Sequence, residues 1–240
     1  MTQSVLCCDV NKWIRENQKF FSPPVCNKCM FDQQLTVFFV GGLNQRNDYH
    51  IEEGEELFMQ IQGDMCLKVV EKGLFRDVDI KQGQIFLLPS KIQHSPQRFE
   101  NTVGMVIERR RALEEKDCVR YFIPDSNDVL YERWFHLKKI DKDLPPLIRQ
   151  YFASEAYRTG RPTTDSVVLG DRAFEPDSST SLEAPFYLSE WLDQNSEYIS
   201  NNGSKVLFGA PKYKTQVTAF GCGGHKIEAF QGETLLWQEV

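Results

Sequence analysis

The sequence predicts a mainly β protein, a sandwich or small barrel with a few short helices. Two observations carry this expectation. From Leu35 to about Leu137, short runs rich in Val, Ile and Phe recur at nearly even spacing, separated by Gly, Asp and Asn. They are LTVFFVGG, ELFMQIQG, MCLKVVEKG, FRDVDIKQG, QIFLLPS, TVGMVIE, VRYFIPD and VLYERWFHL. Helical patterns lie outside that stretch, so the strands form one uninterrupted series.

Taken in order, DVNKWIRENQKFF predicts a short amphipathic helix, stopped by Ser22-Pro23-Pro24. The strand series follows. PPLIRQYFASEAYRTG then predicts a helix, with proline near its start and Gly160 at its end. RPTTDSVVLGDRAFEPDSSTS has no periodicity and is rich in turn residues, as a linker is. LSEWLDQNSEYI predicts another helix, and SKVLFG, TQVTAF, HKIEAF and ETLLWQEV predict further strands. The expected division is a first domain over 1–163, a linker over 164–180 and a second, partial domain over 181–240.

Composition excludes some functions. The 240 residues carry a formal charge of -6, which argues against a nucleic-acid surface. The one basic run, Arg109 to Arg111, follows the apolar VGMVIE and is expected to be a solvated strand end. No stretch approaches the length of a membrane span, and MTQSVLCCDV has no secretion-signal pattern. Seven cysteines, odd in number and irregularly spaced, predict free thiols in a reducing compartment, hence the cytosol. Cys26 and Cys29 form a lone C-x-x-C with no second pair to complete a zinc site, so two unrelated thiols are expected.

The chemistry concentrates in DYHIEEGEELFMQIQG, Asp48 to Gly63, where one histidine precedes four glutamates. His50 and Glu56 flank Gly54, and a strand–turn–strand layout would bring both to one spot. Downstream, in GQIFLLPSKIQHSPQRF, a buried strand ends at Pro89 and His94 follows. Two histidines and a carboxylate on neighbouring strands make the facial triad of non-haem Fe(II) enzymes. Glu52, Glu53 and Glu55 are then expected to stay solvated in the turn. Spacing alone leaves the alternative open that His50 and His94 are ordinary strand-end residues.

Gly42 to Gly63, as G-x7-H-x-E-x3-E-x6-G, resembles the first cupin motif, and Gly83-x5-Pro89-x4-His94 resembles the second. Many cupins carry a second histidine where Glu52 stands, and an asparagine where Arg98 stands. Both departures match one cupin family, 3-hydroxyanthranilate 3,4-dioxygenase. The segments PPVCNK, NQRNDYHIEEGEELFMQIQGDM, GQIFLLPSKIQHSPQRF, NTVGMVIERRR and EAYRTGRP resemble its animal-type members over nearly the whole chain. The resemblance implies a cupin, that is, a double-stranded β-helix or jelly-roll barrel. It also implies Fe(2+) held by His50, Glu56 and His94. The implied reaction opens the ring of 3-hydroxyanthranilate with O2 to give 2-amino-3-carboxymuconate semialdehyde, on the kynurenine route to quinolinate and NAD.

By the same resemblance, Arg98 binds the substrate's carboxylate, Arg46 lies beside oxygen and substrate, and Glu108 hydrogen-bonds the substrate's hydroxyl and assists its deprotonation. Even spacing places Arg98 on the face of His94, and Arg46 on that of His50. Surface ion pairs are the alternative for both arginines, and a solvated pairing with Arg109 to Arg111 is the alternative for Glu108. His136 is expected to be structural, and His225 stays outside the scheme. A non-oxygenase cupin is a competing reading, and the ligand set argues against it.

The tail suggests a repeat. QGETLLWQ, Gln231 to Gln238, aligns with EGEELFMQ, Glu53 to Gln60, with Glu228 in place of His50 and Thr234 in place of Glu56. Residues 181–240 are therefore expected to open a second cupin that lacks metal and is left unfinished by the end of the chain. A monomer, or weak self-association through open strand edges, follows from that reading, as does the alternative of a shortened enzyme with little or no activity.

Overall fold

The computed structural model describes residues 7–23, 26–227 and 232–238. Helix α1, Val10–Asn17, is capped by Asp9, whose carboxylate accepts the Lys12 amide at 2.9 Å. The strands that follow are β1 (Asn27–Asp32), β2 (Leu35–Gly41), β3 (Asn44–Gln45), β4 (Tyr49–Ile51), β5 (Glu56–Gln62) and β6 (Met65–Glu71). Next come β7 (Leu74–Ile80), β8 (Gln84–Leu88), β9 (Gln93–Arg98), β10 (Val103–Arg109), β11 (Asp117–Phe122) and β12 (Val129–Phe135). Then follow α2 (Ile140–Ala153), α3 (Glu155–Thr159), β13 (Phe186–Tyr187), α4 (Leu188–Asn202), β14 (Ser204–Phe208) and β15 (Val217–Phe220).

The strands build two facing antiparallel sheets, a double-stranded β-helix. One has the order β1-β2-β10-β5-β8-β13, the other β12-β11-β4-β9-β6-β7, with β3 beside β9. Side-chain parity decides what each strand shows to each side. On β2, Phe38 and Val40 turn to the interior, where Phe58, Leu67, Val69 and Val106 pack, while Val37 and Phe39 turn outward. The outward set is covered by α1, whose Trp13 ring lies 5.1 Å from that of Phe39. That is why LTVFFVG is apolar on both faces.

The described residues beyond 163 pack against this barrel. Leu182 enters the interior core, β13 pairs with β8, and Phe208 and Tyr213 cover Leu57, Ile85 and Leu87 on the outer face of β5 and β8. Within 164–180, Arg172 bonds the buried Glu132 at 2.7 Å and Phe174 stacks edge-on against Trp134. β14 and β15 form a separate two-stranded sheet.

Several expectations need correction. The helix expected from Pro145 begins a turn earlier, where Asp143 accepts the amides of Lys138 and Lys139 at 2.8 Å. It breaks at Ser154, which leaves helical geometry and caps α3 instead. The strand expected at ETLLWQEV does not form over residues 233–238, and Val240 and its neighbour 239 lie outside the described residues. His225 to Ile227 of HKIEAF are likewise not strand, and the rest of that segment, Glu228 included, is outside the described residues. Each of the seven cysteines is a free thiol, and no described helix is long and apolar enough to cross a membrane.

Candidate metal centre

The site grows from parity and register. His50 on β4 pairs directly with His94 on β9 in one sheet, and Glu56 on β5 pairs with Glu108 on β10 in the other. All four have even numbers and face the interior, so the two sheets bring histidines and carboxylates together from opposite walls. A ring nitrogen of each of His50 and His94 and a carboxylate oxygen of Glu56 lie within 4.8 Å of one another. They open on a cavity of about 100 Å³, which Arg46, Arg98 and Glu108 also line.

These residues fit a metal ion. His94 Nδ1 lies 3.0 Å from the Ile92 carbonyl and donates its proton there, which leaves Nε2 as a lone-pair donor. Nε2 stands 2.9 Å from Glu56 Oε1, a buried oxygen that accepts no hydrogen bond. Two electron-rich atoms aimed at one spot require a cation or a proton between them. Burial works against charge on His94, but Glu56 outweighs it and raises the imidazole's pKa. Burial would push Glu56 up, yet His94 and His50 hold it well below the usual carboxylate range. His50 Nε2 is 2.6 Å from Asp117, which orients that ring.

Two overlapping clusters, His50–Glu52–Asp117 and Glu52–Glu56–Glu108, also have ligand-like spacing. Their acids other than Glu56 already surround a cation. Arg111 contacts Glu52 at 2.8 Å, Asp117 at 2.9 Å and Glu108 closely through Nη1. Glu56 is the carboxylate left for a metal.

This arrangement corrects three expectations. Glu52 is buried at 3 % exposure, not solvated, because it shares His50's parity and points into the barrel beside Arg111. Burial and the neighbouring acids push its carboxyl well above the ordinary value, despite Arg111. Glu55 does not end in water either; its carboxylate accepts the backbone amides of Lys214 and Thr215 at 3.0 and 2.7 Å. The basic run is a solvated end only in part: Arg110 is exposed and Arg109 partly so while pairing with Glu115, but Arg111 is enclosed by its three acids. Glu53 alone behaves as expected, half-exposed and 3.8 Å from Lys91.

The remaining candidates fall around the cavity. Arg46 lines it, held by both carboxylate oxygens of Asp48. Glu108 is buried, and burial lifts its pKa although Arg111 opposes. Arg98 is 2 % exposed and has only long contacts, 3.5 Å to the Val40 carbonyl and 3.5 Å to Gln60 Oε1. No described carboxylate pairs with it, and burial lowers its pKa to about 10. His136 bonds the Glu115 carbonyl at 2.8 Å, and His225 lies near Gly221, both away from the cavity. Cys26 and Cys29 make separate contacts, to the carbonyls of Leu43 and Phe31, and belong to no ligand cluster among the described residues. Asp117 escaped the sequence reading, and Arg111 was expected in solvent rather than between buried acids.

A cupin barrel that brings two histidines from one sheet and a glutamate from the other to ligand-like spacing has a candidate metal site. The family model described as 3-hydroxyanthranilic acid dioxygenase matches residues 2–152. The chain belongs to that family. It is 47 % identical to the 3-hydroxyanthranilate 3,4-dioxygenase of Caenorhabditis elegans, over 97 % of this chain and 82 % of that protein. It is 50 % identical to the mouse enzyme and 48 % to the human one, over 96 % and 95 % of this chain and 79 % of each of those proteins.

Proposed function

We propose that this chain is a ring-cleaving dioxygenase that converts 3-hydroxyanthranilate and O2 to 2-amino-3-carboxymuconate semialdehyde, with Fe(2+) held by His50, Glu56 and His94. The observation that carries this reading is Arg98. A guanidinium buried without a carboxylate is costly unless a ligand supplies the anion. It shares its cavity with the metal cluster. On β9, four residues separate it from His94, about 13 Å along the strand. That span suits a small ring anchored by a carboxylate at one end and reacting at the other. A volume near 100 Å³ is on the scale of one such ring.

Fe(2+) held by His50, Glu56 and His94 would supply Lewis-acid and O2-activating chemistry at this end of the cavity. The chain's own groups do the rest. Arg98 binds the carboxylate in the plane of its fork. Glu108 accepts a hydrogen bond from the substrate's hydroxyl, and its raised pKa suits it to take that proton. Arg46, fixed by Asp48, presents positive charge beside the reacting atoms. Phe58, Pro96 and Val106 line the ring's space, and Ile140 and Leu144 of α2 contribute to its wall.

The test is oxygen uptake with ferrous iron and 3-hydroxyanthranilate, together with the appearance of the ring-opened product. Arg98→Ala is expected to keep its iron and lose substrate affinity by about 3–5 kcal/mol. No uptake by the iron-loaded wild type would overturn the activity, and unchanged affinity in the variant would remove Arg98 from its role. The same proposal includes residence in the cytosol, a monomer or weak self-association, and no nucleic-acid partner. It also includes residues 181–240 as the opening of a metal-free second cupin, set off from the barrel of 1–163 by 164–180. β14 and β15 form their own two-stranded sheet, while Leu182, β13 and Phe208 pack on the barrel.

A further inference from the structure

Four residues along each of three strands lead from the metal cluster to the seat of Arg98. His94 leads to Arg98 on β9, Glu56 to Gln60 on β5, and Glu108 to Gly104 on β10. Gln60 and Gly104 are register partners, just as Glu56 and Glu108 are. Gly104 also pairs with Val40, whose carbonyl meets Arg98. A Cβ built at Gly104 would lie 2.5 Å from Arg98 Nη1 and 2.5 Å from Gln60 Oε1. Its backbone is in no left-handed conformation, so what a Cβ there would disturb is the placement of the Arg98 guanidinium and the Gln60 amide, each of which would have to shift. Gln60 is 1 % exposed, and its amide is turned by a bond from Nε2 to the Gln62 carbonyl at 3.2 Å, which aims Oε1 at Arg98.

We propose that Gln60 and Gly104 are specificity-determining positioning residues, which seat Arg98 while leaving its charge for the carboxylate of a ring substrate. This rests on the function proposed above. The physical point is the choice of a neutral oxygen. A glutamate has nearly the shape of glutamine, and at position 60 it would give Arg98 an internal partner. The cation would be satisfied in the empty protein, and an incoming carboxylate would meet both a neutralised guanidinium and a like charge. Selection for aminophenols bearing a ring carboxylate would then be lost.

The experiment compares 3-hydroxyanthranilate with 2-aminophenol, which lacks the carboxylate, in iron-loaded wild type and Gln60→Glu. KM for 3-hydroxyanthranilate is expected to rise about 10- to 100-fold, the loss of one charge-assisted contact. Its kcat should stay close to wild type, and KM for 2-aminophenol should change little. The preference for the carboxylated substrate collapses. Gln62→Glu, at the exposed end of the same strand, controls for added charge. An unchanged KM for 3-hydroxyanthranilate, or equal losses for both substrates, would overturn the proposal. Gly104→Ala gives a second reading should Gln60→Glu not fold; it should raise KM for the carboxylated substrate selectively by displacing Arg98. Calorimetric titration of benzoate into metal-free protein separates this inference from the activity. Wild type should bind benzoate and Gln60→Glu should not, even if no ring cleavage is found, and equal binding by both would sink the inference alone.

Discussion

Replacing Arg111 with methionine keeps most of the side chain's volume and removes the one cation shared by Glu52, Glu108 and Asp117. At an effective dielectric constant of about 20, each contact of 2.8 to 2.9 Å is worth roughly 6 kcal/mol of gross attraction. Desolvating the guanidinium offsets much of that sum. What remains is the cost of stranding buried acids, about 3–5 kcal/mol. Part of it is recoverable by protonation, and this gives the loss a pH signature. Glu52 and Glu108 already have raised pKa values through burial, and loss of Arg111 raises them further. An acid whose folded pKa lies above its unfolded one destabilises at high pH, and the penalty fades as pH falls through the raised value. Asp117 has the opposite sign, since His50 and Arg111 depress its pKa against burial, but it keeps His50 after the substitution. The deficit should therefore be largest at about pH 8 and clearly smaller at about pH 5. Urea denaturation of metal-free protein reads it as a midpoint lowered by about 1 M or more, for slopes of roughly 1–3 kcal/mol per molar. An unmoved midpoint, or an equal deficit at both pH values, would refute the account of Arg111 as the site's shared counter-charge.

Purified His50→Ala, Glu56→Ala and His94→Ala should each fail to retain ferrous iron through dialysis; full occupancy in Glu56→Ala would transfer the ligand role to Glu52. Metal affinity should tighten as pH rises through the raised pKa of His94, where the competing proton leaves, and level off above it. Competition with a chromophoric chelator measures this, and a flat profile across that range would rule out proton competition at His94. Hydrogen exchange should be faster in Val217–Phe220 than in Gln84–Leu88, because β14 and β15 form a sheet of two strands whereas β8 is paired on both sides; equal protection would show the tail to be as stable as the barrel.

The barrel was legible because its strands are apolar on one or both faces, and runs such as LTVFFVG and QIFLLP announce that directly. β1, with its sequence NKCMFD, and the two-residue β13 were not, since neither has enough alternating residues to stand out from loop. His50, Glu56 and His94 could be found because each belongs to a spaced motif. Glu52 and Arg111 could not be found as a pair. Charged residues ordinarily solvate, and nothing local marks two that are 59 positions apart as partners in the interior. One signal was available for Glu52. It stands two residues after His50, and on an extended chain that places both on the same face. Asp117 carried no such mark and is recognised only through the ring it orients.

Glu55 and Glu56 are adjacent and face opposite ways. One clasps the amides of Lys214 and Thr215, while the other enters the metal cluster. A single peptide unit thus joins the outer wrap of the molecule to the His50–Glu56–His94 cluster. Wear on the outside has a consequence inside. A molecule cleaved between β13 and Lys214 that sheds the segment bearing those two amides would keep the strands that pack Phe58, Leu67 and Val106 and would pass for intact by its β signature. It would have lost the hold on the residue beside Glu56. Ageing preparations of this protein should then decline in metal content per folded molecule well before they decline in folded molecules.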